Sequence, residues 1–180
     1  METTLQSRAL GCLLGLAAGD AVGTTLEFSR RDSSPPLIDM VGGGPFHLQA
    51  GQWTDDTAMA LAFGESLCAC RGLELQDLMD RFIAWYLQGR YSCTGTCIDI
   101  GLTTQLALQR FMETGNPEAG NRSPRTAGNG SLMRLAPAPI FYYTDLASGV
   151  DAARRQSMAT HGAAEAVDAC AAFAEWLILV

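Results

Sequence analysis

The chain has 180 residues, 48% hydrophobic and 17% charged, with a formal net charge of −7. This length and composition fit one globular domain with a sizeable core and exclude a disordered chain. All 12 basic residues are arginines without a basic cluster, which argues against binding to a nucleic-acid backbone.

Residues 5–23 read as a first helix, with glycines at 11, 15, 19 and 23 in a four-residue row. Such a row predicts close helix packing inside a folded domain. The apolar run 9–19 after Arg8 has the look of a signal-peptide core, but it is too short to span a bilayer and Asp20 stops it. The expectation is a cytoplasmic protein with no membrane partner. Six cysteines, at 12, 68, 70, 93, 97 and 170, form no zinc-type pair of pairs and read as reduced core cysteines.

Residues 30–53 carry prolines at 35, 36 and 45 and the run Gly42-Gly43-Gly44, which predicts a long irregular loop. Residues 54–70 form the second helix. A third follows on Leu75, Leu78, Met79, Phe82, Ile83 and Tyr86 and stops at Gly89. Ile98, Leu102 and Leu106 open a fourth that ends near Gly115. Residues 116–130 are polar and rich in Gly, Asn and Pro; helical patterns resume after Ser131, from about 146 and from about 163. No strand alternation is sustained. The expected fold is all-α, a single domain over residues 1–180.

The most informative stretch is Gly51-Gln52-Trp53-Thr54-Asp55-Asp56-Thr57. Met59, Phe63 and Leu67 share one helix face, and extending it backward reaches Asp55. The acidic pair therefore caps a buried stripe and points inward. Two carboxylates at a core edge repel and desolvate each other, and a hard cation relieves both problems. Oxygen ligands with a hydroxyl nearby suit Mg²⁺, Mn²⁺ or Ca²⁺ better than zinc. The alternative is an ordinary N-cap at Thr54 with acids favouring the helix dipole.

Other segments carry paired readings. Asp20 is a structural hydrogen-bond acceptor near a helix end or part of a site. Glu27 precedes a loop, solvated or functional. Asp99 shares the face of Leu102 and Leu106, where a buried carboxylate needs a partner, or else it is an N-cap. Gly128-Asn129-Gly130-Ser131 is a plain turn, or a turn opening a helix whose N–H groups face an anion. His161 in Thr160-His161-Gly162 is a helix C-cap or a ligand-binding group.

Taken together, these segments resemble the ADP-ribosylglycohydrolase family. The matching pieces, in order, are the Gly11/Gly15/Gly19-Asp20/Gly23/Glu27 row, Trp53-Thr54-Asp55-Asp56-Thr57-Ala58-Met59, Asp99-Ile100-Gly101, Gly128-Asn129-Gly130-Ser131-Leu132-Met133-Arg134 and Thr160-His161. The resemblance implies a compact orthogonal bundle of many helices with two Mg²⁺ ions, Mn²⁺ being an alternative, in a central cleft. It implies Thr54, Asp55 and Asp56 as metal ligands, with Glu27 on a flap and Asp99 in the cleft as the candidates for proton transfer. It implies that Gly128, Asn129, Gly130 and Ser131 hold a diphosphate, with His161 near the adenosine side. The substrate class it implies is an ADP-ribosylated protein or a small ADP-ribosyl conjugate, cleaved at an N- or O-glycosidic bond.

The family pattern also includes a second acidic motif of the Asp-x-Asp-Thr type, and residues 57–180 contain none. With the large apolar side chains at 173–180, this reads as an N-terminal portion of the domain, truncated at its C-terminus. The competing readings are a non-catalytic ADP-ribose-binding or crystallin-like structural relative, an inactive fragment, and an unrelated helical metal sensor, which leaves the glycine turn unexplained.

Overall fold

The computed structural model describes residues 4–180, and among them the regular structure is helical. The helices are α1 (Leu5–Gly23), α2 (Asp55–Cys70), α3 (Leu75–Gln88), α4 (Leu102–Thr114), α5 (Pro137–Phe141), α6 (Leu146–Thr160) and α7 (Ala164–Leu179). No strand occurs among the described residues; two isolated bridges pair Gly43 with Leu48 and Asn121 with His161. The all-α expectation holds, and most helix limits fall within a residue or two of those read from the apolar periodicity; α4 starts at Leu102 instead of Ile98, and α5 at Pro137 instead of directly after Ser131.

α2 runs through the core. Met59, Phe63 and Leu67 are all buried, as their four-residue spacing requires. They belong to one buried cluster with Leu78, Met79, Phe82 and Trp85 of α3, Leu108 and Phe111 of α4, and Ala152, Ala153 and Ala159 of α6. Burying each of the larger side chains contributes roughly 1.5–3 kcal/mol. α6 and α7 form the closest helix pair, and Gly149 permits it: a Cβ there would lie 2.5 Å from Ile178 Cδ1. α3 stops at Gly89 because the chain turns there at φ 67°, and an added Cβ would sit 2.0 Å from the Gly95 carbonyl oxygen.

Three expectations fail, each for a tertiary reason. The glycine row of α1 packs against none of the described residues: a Cβ at Gly11, Gly15, Gly19 or Gly23 would meet no atom of theirs within 4 Å. Leu10, Leu13 and Leu14 are exposed on the same helix. α1 is long and apolar enough, by length and composition, to cross a membrane; Asp20 near its end nevertheless bonds to the start of α2. Second, Leu102 and Leu106 face solvent. The buried side of α4 is Thr104, Ala107, Leu108 and Phe111, chosen by what packs on it. Third, of the six cysteines only Cys170 is buried; all six are free thiols, and Cys68 is exposed.

Candidate active site

The site begins with a helix end capped from outside its own segment. Thr54 precedes α2, yet its side chain makes no capping bond to the helix. Asp20, in the last turn of α1, takes that role. Its carboxylate accepts from Thr54 N–H (3.0 Å), Thr54 Oγ1 (2.7 Å), Thr57 N–H (3.0 Å) and Thr57 Oγ1 (2.6 Å). Four donors at the positive end of a helix dipole thus share one carboxylate. Because the Thr54 hydroxyl spends its proton on Asp20, its lone pairs stay available to another electrophile.

This anchor fixes the first turn of α2, where Asp55 is 6% exposed and Asp56 half-buried. Burial pushes the Asp55 carboxyl well above the usual carboxylate range, and the charges of Asp56, Asp99 and Asp20 push it further. Asp56 is raised too, first by burial and then by Asp20. The inward orientation expected from the helix face is therefore present, with the repulsion it entails.

Asp99 is not on a helix. It lies in the loop before α4 with φ 57°, and Gly101 holds the N-cap position that Asp99 was a candidate for. Burial, then Glu27, Asp56 and Asp20, raise its carboxyl to about 6. Glu27 follows the short helical turn Thr24–Leu26 and is exposed at the rim.

Facing these acids is the turn around Gly128–Gly130. It opens no α-helix directly: the N–H groups of Leu132 and Met133 both donate to the Asn129 carbonyl, and α5 starts only at Pro137. No long helix dipole stands behind it. Gly130 packs on a histidine ring, since a Cβ there would lie 2.6 Å from His161 Cε1 and 3.0 Å from Nε2. His161 occupies the C-cap of α6, as one of its readings has it, and also lines the cleft. Burial and then the Arg134 charge push its imidazole down to about 4. Ser131 sits apart. Its hydroxyl is buried against Ser157 Oγ (2.8 Å) and Cys170, turned into the core.

One cleft of about 570 Å³ collects Asp20, Glu27, Asp55, Asp56 and Asp99 on one side and Gly128, Asn129, Gly130 and His161 on the other. Met133, Thr103 and Thr104 also line it and were not anticipated; apolar or hydroxyl residues at helix starts carry no distinguishing sequence signal. A larger groove of about 710 Å³, between α1, α5 and α7, is mostly apolar, with Leu5, Ala9, Cys12, Ile140 and Ile178 among its walls. No Asp or Glu side chain lines it, whereas five line the smaller cleft.

The cleft's five carboxylates face no arginine or lysine among its lining residues. Oxygen donors, raised carboxyls and a missing countercharge suit a hard divalent cation. Among the described residues no three His, Cys, Asp or Glu side chains converge as a ready-made metal cage. Thr54, Asp55 and Asp56 place a hydroxyl and two carboxylates side by side at this wall of the cleft.

The family model for ADP-ribosylglycohydrolase matches residues 1–179. An ADP-ribosylarginine hydrolase, Tri1, of Serratia proteamaculans is 45% identical over 169 residues, 94% of this chain and 46% of that protein. The ADP-ribosyl-[dinitrogen reductase] glycohydrolase of Rhodospirillum rubrum is 39% identical over 76% of this chain and 45% of its own length. A solved structure described as an ADP-ribosylglycohydrolase-related protein complex superposes with a TM-score of 0.81 at 42% identity, over 94% of this chain and 54% of that one. The chain thus spans about half the length of the curated relatives it matches. By sequence and fold alike, it belongs to the ADP-ribosylglycohydrolase family.

Proposed function

We propose that the protein built on this chain is a divalent-cation-dependent hydrolase that removes ADP-ribose from a modified side chain, with arginine the first acceptor to test. The observation that carries this reading is the acidic wall facing a glycine turn across one cleft. The names of the relatives, one acting on ADP-ribosylarginine and one on ADP-ribosylated dinitrogen reductase, support the substrate class.

Thr54, Asp55 and Asp56 are the residues that would hold magnesium or manganese. Such an ion supplies polarisation of ribose hydroxyls and acidification of water. Asp20 holds the first turn of α2 so that both aspartates stay aimed inward. The open backbone at Gly128 and Gly130 lets a diphosphate approach closely. Cleavage of the ribosyl bond passes through an oxocarbenium-like state, with water adding at the anomeric carbon as the side-chain nitrogen or oxygen leaves. A carboxylate must take the proton from water and return one to the leaving group. Asp99, with its carboxyl at about 6, is suited to both directions near neutral pH and is assigned that transfer. Glu27 closes the rim of the same cleft.

The test is release of ADP-ribose from an ADP-ribosylated arginine peptide by the full-length protein, with and without EDTA. Release that stops with EDTA and returns with Mg²⁺ or Mn²⁺ is the expected result. Release indifferent to EDTA removes the metal role, and no release from any ADP-ribosylated peptide removes the enzymatic one. A second prediction concerns the turn. Gly130→Val forces a branched side chain against the His161 ring and is expected to weaken ADP-ribose binding about tenfold or more. Calorimetric titration checks it; unchanged affinity takes the turn out of the site.

A further inference from the structure

Beneath the cleft lies a chain of polar side chains that the proposed reaction does not use directly. Arg134 is fully buried and has no carboxylate partner among the described residues. Its guanidinium lies 4.5 Å from the centre of the Phe82 ring. Nε donates to Gln156 Oε1 (2.9 Å), and Nη2 donates to the Gln156 carbonyl (2.8 Å) and to Thr160 Oγ1 (2.9 Å). The Gln156 amide then donates from Nε2 to the Ser131 carbonyl (2.9 Å), which ties this assembly to the glycine turn. Thr160 Oγ1 stands 2.8 Å from His161 Nδ1.

The direction of these bonds follows from valence. A guanidinium offers only donors, so Thr160 Oγ1 must accept from Arg134. The hydroxyl keeps one proton and a second lone pair; His161 Nδ1 is its one other hydrogen-bond partner among the described residues, so the proton finds an acceptor only when Nδ1 takes it. A neutral imidazole that accepts at Nδ1 carries its proton on Nε2. Nε2 is the nitrogen nearest the glycine turn, 3.4 Å from a Cβ built on Gly128 and 3.0 Å from one on Gly130.

We infer that Arg134 is a positioning residue: through Thr160 it locks His161 as the neutral Nε2–H tautomer, a fixed hydrogen-bond donor aimed at the cleft. Its fitting acceptor is an oxygen of a bound nucleoside diphosphate sugar, and that part rests on the function proposed above. The charged groups acting on the ring agree with a permanent neutral donor. Arg134 repels a second proton, no carboxylate among the described residues pairs with the ring, and the Ser157 hydroxyl meets His161 at its backbone carbonyl (2.9 Å) and not at the ring.

The chain has two histidines, so His47→Gln leaves His161 as the sole imidazole. Long-range ¹H–¹⁵N spectra of this variant with ¹⁵N-labelled histidine, at pH 7 without ligand, read the tautomer directly. The expected result is one form, protonated at Nε2, retained in Thr160→Ser. In Thr160→Val the ratio of Nε2–H to Nδ1–H should fall about tenfold, the fold-change of one hydrogen bond. A ring protonated at Nδ1 in the parent overturns the inference without any need for the variants to fold. A Thr160→Val spectrum identical to that of the parent also overturns it. Adding ADP-ribose separates the two claims: a shift of the Nε2–H resonance supports the donor role toward ligand. An unmoved resonance in a protein shown calorimetrically to bind ADP-ribose overturns that role, while absence of binding counts against the proposed function instead.

Discussion

Asp20→Ala is expected to destabilise the chain by about 2–4 kcal/mol, an effect larger than that of losing an ordinary helix cap. Two buried hydroxyls and two N–H groups, from Thr54 and Thr57, lose their shared acceptor. Each buried donor left unmet costs about 1–3 kcal/mol, partly recovered where water enters from the cleft. One effect opposes this. Removing Asp20 also removes a charge that raises the Asp55 and Asp56 carboxyls. Asp20 acts on Asp55 more weakly than burial, Asp56 and Asp99 do, and on Asp56 more weakly than burial does, so the lost hydrogen bonds win. Urea denaturation measures the outcome, with Asp20→Asn as the milder comparison because it keeps one acceptor oxygen. A loss below about 0.5 kcal/mol means that solvent replaces the cap and that Asp20 does not hold the site together.

Asp55→Asn is expected to act in opposite directions on stability and on function. The Asp55 carboxyl is raised in the folded chain, so folding takes up a proton that the unfolded chain releases. Its stabilising contribution is present below the unfolded value and is lost as pH rises toward the folded one. The cation-free parent should therefore lose stability from about pH 4 upward, and Asp55→Asn should flatten that slope. At pH 8 the variant is expected to be more stable by on the order of 2 kcal/mol, with the gap closing by pH 4. His161 contributes the opposite sign below pH 6.5, because its imidazole is pushed down to about 4 and folding there expels a proton. Denaturation midpoints at pH 6.5 and above isolate the aspartate. The same variant should lose divalent-cation binding, and in the full-length protein ADP-ribose release should fall about 10²-fold or more. A variant that is less stable at pH 8, or as active as its parent, contradicts the account.

Much of this architecture was legible because its signals are local. Gly89 and Gly115 end α3 and α4 in left-handed caps, and the α3 periodicity names its buried face residue by residue. The inward placement of Asp55 followed from its four-residue distance to Met59, with Phe63 and Leu67 continuing the face. What failed depends on partners distant in the chain. Leu102 and Leu106 fit a helical stripe as well as Leu108 and Phe111 do; only the packing of α3 and α6 decides which side is covered. The glycine row of α1 has the spacing of a packed helix, yet no neighbour among the described residues covers it. Asp20 does make the structural hydrogen bonds expected near a helix end, but its donors lie 34 and 37 residues away, where no local signal names them. The support beneath His161 was invisible for the same reason: an arginine in Leu132-Met133-Arg134 gives no sign that it is fully buried with a glutamine and a threonine from α6. Ser131 belongs to the glycine turn in sequence, but its hydroxyl serves the core.

The central claim is that the paired aspartates at the start of α2 grip a divalent ion. Titrating Mn²⁺ into the ¹⁵N-labelled chain at neutral pH tests it most directly, because a bound paramagnetic ion broadens the amide signals closest to it. The account predicts saturable broadening centred on Thr54, Asp55 and Asp56, spreading to Asp99 and absent from both Asp55→Asn and Asp56→Asn. Broadening spread evenly over the exposed acids, and unchanged in those variants, would contradict it.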